Sequence, residues 1–248
     1  MIPIKHAEIE YAVCCTVGKM RRNNEDNFYC GGFIRRDVNS NDDVMLSGTV
    51  GDDAAQVFAV FDGMGGEACG EVASFVAASH TELFLRDHPA REEVIRELGE
   101  HLNNTVRDET EARSLVLMGT TAAIVQFCAG EIYVLNAGDS RIYRLLRHEL
   151  AQLSCDHVAG GYRGKAITKF LGMPGGDPLH PYVAKGEFKS GDVYLLCSDG
   201  VTDMLTDEDI LSIIDCKKPL DQTCRALIDA ALHNGGADNA TALLLRVR

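Results

Sequence analysis

The chain has 248 residues, 46% of them hydrophobic, and a formal net charge of −13 at pH 7. That is enough for one sizeable core, read as a single domain over 1–248, and the acidic balance argues against nucleic acid as a partner. No apolar run is long enough to span a membrane, the start Met1-Ile2-Pro3-Ile4-Lys5-His6 has no apolar signal core, and the nine cysteines form no C-x-x-C pair. The expectation is a cytoplasmic monomer with reduced thiols, no zinc site and no membrane partner.

In chain order, Ile9 to Val17 reads as a strand. The polar loop Arg21-Arg22-Asn23-Asn24-Glu25-Asp26 follows, and Phe28 to Ile34 reads as a second strand. Arg35 to Ala55 reads as an exposed, solvated loop with room for a small hairpin at Val44 to Val50. Val57-Phe58-Ala59-Val60-Phe61 is a short buried strand, and Val72, Phe75, Val76 and Leu83 have helical spacing. Between them lies Asp62-Gly63-Met64-Gly65-Gly66, too rich in glycine for either element.

A second amphipathic helix covers Glu92 to Val106. Thr120–Phe127, Ile132–Asn136 and Arg141–Leu146 then read as an antiparallel meander, with Ala129-Gly130 and Ala137-Gly138-Asp139 as its turns. Glu149–Leu153, Pro181–Phe188 and Asp192–Cys197 are further strands. Thr206-Asp207-Glu208-Asp209 starts a helix, with a hydroxyl cap and carboxylates in the first turn. Leu220, Cys224, Leu227, Ile228 and Ala231 mark another helix, and Ala240 to Val247 is the final strand. Strands and helices come in runs, which points to α+β with antiparallel sheets covered by helices.

Gly63-Met64-Gly65-Gly66-Glu67-Ala68 also matches the G-x-G-x-x-A dinucleotide fingerprint. Asp62 would repel a pyrophosphate there, and no strand follows promptly, so that reading is rejected. Asp26, Asp62, Asp139, Asp199 and Asp238 all fall where strands start, end or turn. Each alone is more often a turn-former. Together they suit hard divalent cations, which take carboxylate, carbonyl and water oxygens. Spacing leaves open whether they converge.

In order along the chain come Arg21-Arg22-Asn23-Asn24-Glu25-Asp26, Asp62-Gly63-Met64-Gly65-Gly66, Gly119-Thr120-Thr121, Asn136-Ala137-Gly138-Asp139-Ser140-Arg141, Asp156-His157, Leu171-Gly172, Cys197-Ser198-Asp199-Gly200 and Gly236-Ala237-Asp238-Asn239-Ala240-Thr241. This ordered set resembles the metal-dependent PPM, or type 2C, serine/threonine protein phosphatases in their bacterial form. The resemblance implies an α-β-β-α sandwich of two antiparallel sheets with helix pairs outside. It implies two Mn²⁺ or Mg²⁺ ions in the core site, with a third in many members. Asp62 would bridge two metals, the Gly63 carbonyl and Glu25 would serve one, and Asp199 and Asp238 the other. Asp139 would belong to the third position. Asp26 would hold metal-bound water, and Arg21, with Arg22 as the alternative, would hold the substrate phosphate.

The implied chemistry is hydrolysis of phosphoserine or phosphothreonine by hydroxide held between the metals, with no covalent phosphoenzyme. The implied partners are a phosphoprotein and a Ser/Thr kinase or its targets. A non-catalytic binding domain of the same fold and a small-metabolite phosphomonoesterase are the alternatives. Gly119-Thr120-Thr121 reads as strand packing, Ser140 and Arg141 as fixing a turn, Cys197 as a core thiol and His157 as structural.

Two departures from the family stand out. Met64 replaces the histidine that follows Asp-Gly in many eukaryotic members, which leaves the general acid open. His157 and Leu171 are only 14 positions apart, so the flap between them is short; Val158 to Lys165 reads as a flexible glycine loop carrying Arg163 and Lys165.

Overall fold

The computed structural model describes residues 8–51, 56–64, 69–88, 94–146, 149–161, 164–175, 178–214 and 218–248. The first half runs β1 (Ile9–Thr16), β2 (Asp26–Tyr29), β3 (Val44–Val50), β4 (Gln56–Met64), α1 (Gly70–Asp87) and α2 (Val94–Ala112). A run of strands follows: β5 (Gly119–Thr120), β6 (Ala122–Cys128), β7 (Glu131–Ala137), β8 (Arg141–Leu146), β9 (Glu149–Gln152), β10 (Val158–Gly161), β11 (Gly164–Ile167), β12 (Tyr182–Glu187) and β13 (Val193–Cys197). The chain closes with α3 (Asp199–Thr202), α4 (Asp207–Ile213), α5 (Leu220–His233) and β14 (Ala240–Val247).

One sheet has the order β3-β1-β14-β13-β8-β9; the other is β12-β7-β6-β4-β2, with β5 beside β4. Neighbouring strands pair antiparallel throughout. The alternation of β1 and β14 turns Val13, Leu243 and Leu245 toward the other sheet, where they meet Phe28, Phe58, Val125 and Phe127. The opposite faces of the two sheets carry helices. Ile95, Leu98, Leu102 and Val106 of α2 pack with α1 over Phe61, Ile124 and Leu135. Leu220, Cys224, Leu227 and Ile228 of α5 pack over Ala12, Leu195 and Leu244. The result is the expected α+β sandwich of two antiparallel sheets between helices. Among the described residues no helix is long and apolar enough to cross a membrane.

Several expectations are corrected. Val44–Val50 is one strand pairing with β1, not a hairpin. Phe28–Ile34 is not one strand: β2 ends at Tyr29 and the chain reverses through Gly31 and Gly32, closed by a bridge between Cys30 and Phe33. The strand at Val57 runs on through Asp62, Gly63 and Met64, because β5 offers Gly63 and Met64 a pairing partner. In α1, Val76 is buried and Val72 and Phe75 pack against the core as the spacing predicts, beside Ala73, Ala77, Ala78 and Phe84, but Leu83 is exposed.

The meander breaks after β7. At Gly138 (φ +109°) the chain crosses to the other sheet, so β8 pairs with β13 and β9, while β12 takes the place beside β7. A pattern of alternating residues shows where strands lie but not which sheet receives them. The flap segment holds the hairpin of β10 and β11 rather than a plain loop. Arg163 lies outside the described residues, as do Gly65, Gly66 and Glu67.

Candidate functional site

Antiparallel register decides which strand ends meet. Asp26 opens β2 directly opposite Asp62 of β4, and opposed residues share a face with Cβ atoms about 4.5–5.5 Å apart. Ala122 at the start of β6 pairs with Ala137 at the end of β7, so Asp139 follows at the same rim. In the other sheet Cys197 ends β13 against Ala242 and Arg141, which brings Asp199, Asp238 and the Asp139 corner to that rim too.

Asp62 is fastened through its backbone. Its N–H donates to Thr121 Oγ1 (3.0 Å), and its carbonyl accepts from Thr121 N–H (2.8 Å) and Thr120 Oγ1 (2.9 Å). Thr121 Oγ1 also lies 2.6 Å from Ser140 Oγ, tying the Asp62 strand to the corner that carries Asp139. Thr120 and Thr121 therefore do more than pack a strand. The Ser140 carbonyl accepts from Asn136 Nδ2 (2.9 Å), and Arg141 pairs with Asp156 (2.7 Å), as expected of turn-fixing residues.

Asp26 is fully buried. Its Oδ2 accepts from the hydroxyls of Ser198 and Thr241, each at 2.7 Å. Ser198 stands at the N-cap position of α3 but spends its hydroxyl proton on Asp26, so it makes no side-chain cap. Behind Asp26 sits Arg35, buried rather than solvated. Its Nε donates to Asp26 O (3.0 Å), Nη1 to the carbonyls of Asp37 and Ser40, and Nη2 to Asn24 O. Four bonds from one guanidinium hold the loop in shape.

Asn239 clamps the Arg21–Asp26 loop to the Asp238 loop. Its Oδ1 accepts from Glu25 N–H (2.8 Å), and its Nδ2 donates to Val17 O and Asn23 O. Arg21 reaches across to Asp238 at 2.6 Å, both partly solvated, while Arg22 is exposed. Gly63 donates to Glu25 O at 3.1 Å. A Cβ on Gly63 would stand 2.1 Å from Gly70 O and 2.6 Å from Glu25 O, so only glycine fits this approach.

The carboxylates feel one another. Asp62 keeps some surface open at the mouth, yet burial first, then Asp26, Asp199, Asp238 and Asp139, push its pKa well above the ordinary range. Burial outweighs its two hydroxyl partners and pushes Asp26 up to about 6. Burial, then Asp139 and Asp238, push Asp199 up to about 7. Glu25 is raised by burial and then by Glu71.

Asp26 Oδ1 and Asp199 Oδ1 are buried without a hydrogen-bond partner. An ionised carboxylate only accepts, so such oxygens call for a cation or a proton. Among the described residues no three Asp, Glu, His or Cys side chains already close on one point. Carboxylates without a cation repel. Hard cations of the Mg²⁺ type bind through one or two carboxylates each, with waters filling the remaining positions. The donor set fits such ions.

Cys197 is buried with its thiol pushed up to about 12, fitting a core role. His157 donates its N–H to Gly138 O (2.9 Å) and its carbonyl accepts from Thr168 N–H (2.8 Å), so its backbone braces the Asp139 corner. Ser198, Thr241, Asn239 and Arg35 have site roles that sequence reasoning missed. Three stand inside the quoted motifs, which was the available signal; Arg35 had none.

This two-sheet sandwich with an acidic rim is the fold of the PPM phosphatases. The chain belongs to the protein phosphatase 2C family, whose model matches residues 30–238. It is 28% identical to the serine/threonine protein phosphatase PstP of Mycobacterium tuberculosis over 96% of its own length, but it spans only 45% of that relative. It is equally 28% identical to the serine/threonine phosphatase stp of Listeria monocytogenes, over 92% of both chains. The solved catalytic domain of PstP in complex with two manganese ions superposes with a TM-score of 0.77 at 28% identity, covering 98% of this chain and 99% of that one. PppA, described as a key regulatory component of the type VI secretion system in Pseudomonas aeruginosa, superposes at 0.76 with 26% identity, covering 97% and 98%.

Proposed function

We propose that this chain is a metal-dependent phosphoprotein phosphatase that hydrolyses phosphoserine and phosphothreonine, with hydroxide and no side chain as nucleophile. The observation that carries this reading is the meeting of Asp26, Asp62, Asp139, Asp199, Asp238 and Glu25 at one rim, with Asp26 Oδ1 and Asp199 Oδ1 buried without a hydrogen-bond partner. The two manganese ions of the PstP structure support it. Mn²⁺ or Mg²⁺ bound there would supply a water acidic enough to ionise near neutral pH.

In this reading Asp62 serves two cations. The Gly63 carbonyl and Glu25 hold one, Asp199 and Asp238 the other, and Asp139 a weaker third. Asp26, anchored on Oδ2 by Ser198 and Thr241, offers Oδ1 to orient water. Arg21 leaves Asp238 to grip phosphoryl oxygens, a charge-assisted pairing that suits a guanidinium. The substrate is a phosphoprotein, a Ser/Thr kinase or its target, met in the cytoplasm by a monomer. A full set of carboxylates weighs against a purely binding role.

Hydrolysis of a phosphothreonine peptide with and without Mn²⁺ tests this. Turnover should require the metal and disappear in excess EDTA. Undiminished turnover in chelator would overturn the reading.

A further inference from the structure

Cys14 and Cys224 take no part in the site. Cys14 sits in β1, paired across to Ala242 of β14 and to Met45 of β3. Cys224 comes down from α5, fully buried, with Sγ 3.2 Å from Ala242 O. Ala242 is thus the neighbour of both. The small residues Ala12, Ala240 and Ala242 share this face of the core and let α5 approach the sheet. The Cys224 thiol donates to Ala242 O, and Ala242 is the cross-strand partner of Cys14, so the two cysteines flank one residue.

A cavity of about 40 Å³ opens beside Cys14, lined also by Asp43, Met45, Arg225 and Ile228. That volume admits a molecule of water or peroxide size. Arg225 lies at its edge, 2.9 Å from Met45 Sδ. The Cys14 thiol is lowered, chiefly by the neighbouring Cys224 and also by Arg225, against burial, Asp229 and Asp221. A thiol beside a small cavity, a cation and a second thiol has the surroundings of a reactive one. Cys224 is pushed well above the ordinary thiol range, first by burial, and Cys30 and Cys197 are pushed up to about 12 by burial, so within the pair Cys14 is the one placed to react first.

We propose that Cys14 and Cys224 form a redox pair in which a hydroperoxide oxidises Cys14 and Cys224 resolves the product to a disulfide. The Cys14 thiolate attacks the terminal oxygen of the peroxide. An S–O bond forms, the O–O bond breaks, and the departing oxygen takes the thiol proton, leaving a sulfenic acid. The Cys224 sulfur then attacks the Cys14 sulfur. The S–O bond breaks, and hydroxide leaves with the Cys224 proton as water. Two thiols lose two hydrogens, and the peroxide is reduced to water and an alcohol, or to two waters. The bond would join β1 to α5 across 210 positions of sequence (224 − 14).

The folded protein is treated with hydrogen peroxide, its remaining thiols are alkylated, and its peptides are mapped without reduction. The exposed Cys155 is the internal comparison. The expected result is the loss of two hydrogens per chain in a Cys14–Cys224 cross-linked peptide, reversed by dithiothreitol. It should form about ten-fold faster than oxidation at Cys155, because Cys14 has a cation and a resolving thiol beside it. In Cys224→Ser, dimedone should mark Cys14; in Cys14→Ser, neither the cross-link nor that mark should form. Oxidation of Cys155 while both Cys14 and Cys224 remain alkylatable would overturn the proposal, as would pairing of Cys14 with another cysteine. The wild-type map needs no variant to fold, and the mass readout is independent of phosphatase activity.

Discussion

At the scale of single residues, the carboxylates differ in what holds them. Asp62 is fastened through backbone bonds to Thr120 and Thr121 and lies nearest the sum of the other charges. In the proposed mechanism it serves two cations at once, so Asp62→Asn should lower kcat/KM by about 10³-fold or more. Calorimetric titration with Mn²⁺ should then lose its tight phase. Asp139 stands on the corner between sheets, which Ser140 and Thr121 tie to the Asp62 strand. Asp139→Asn should reduce turnover and remove only a weak Mn²⁺ phase. Loss of the tight phase in that variant would move Asp139 into the core set.

At the scale of elements, the rim depends on close backbone approach and on loops tied by single side chains. Gly63 lies between β5, the start of α1 and the Glu25 carbonyl. Gly63→Ala would force backbone apart, since a Cβ would stand 2.1 Å from Gly70 O. A cost of roughly 2–4 kcal/mol is expected, read as a lowered midpoint in urea with the m-value kept. An unchanged midpoint would mean that α1 can shift freely. In the proposed reading the β10–β11 hairpin is the flap beside the site. A short flap offers few contacts to residues flanking the phosphate, and remote binding energy is what separates a peptide from an aryl phosphate. The isolated protein should therefore prefer a phosphothreonine peptide over p-nitrophenyl phosphate by no more than about ten-fold in kcat/KM. A preference of several orders of magnitude would show that other surfaces read the substrate.

For the whole molecule, the acidic rim links stability to pH and metal. Asp26 and Asp199 have folded-state pKa values raised to about 6 and about 7 from the ordinary 3.8. The folded state therefore binds their protons more tightly than the unfolded state does. Their contribution to stability is fully present below about pH 4, declines as pH rises through about 6 and about 7, and is gone above that. In EDTA the protein should melt roughly 5 °C higher at pH 5.5 than at pH 7.5. Saturating Mn²⁺ should raise the pH 7.5 midpoint and remove or reverse the difference, because a cation replaces the missing protons. A chelated protein more stable at pH 7.5 would show that other groups dominate the linkage.

What the sequence by itself determined is local. Apolar alternation marked β1, β8, β13 and β14 almost to the residue, helical spacing marked α2 and α5, and Thr206 with Asp209 forms the capping box that starts α4. Ordered motifs named the carboxylates and the family. These are short-range properties, carried by neighbouring side chains. Tertiary structure decided what depends on distant partners. It sent β8 into the other sheet, extended β4 through Gly63 and gave Asp26 its hydroxyls from Ser198 and Thr241. It also turned Arg35 from a surface cation into a buried brace, because its guanidinium is satisfied by four loop carbonyls that fold around it. Burial and unpaired charge belong to surroundings assembled from the whole chain, so the raised carboxylates at the rim could be named in the sequence but not yet be seen as one site.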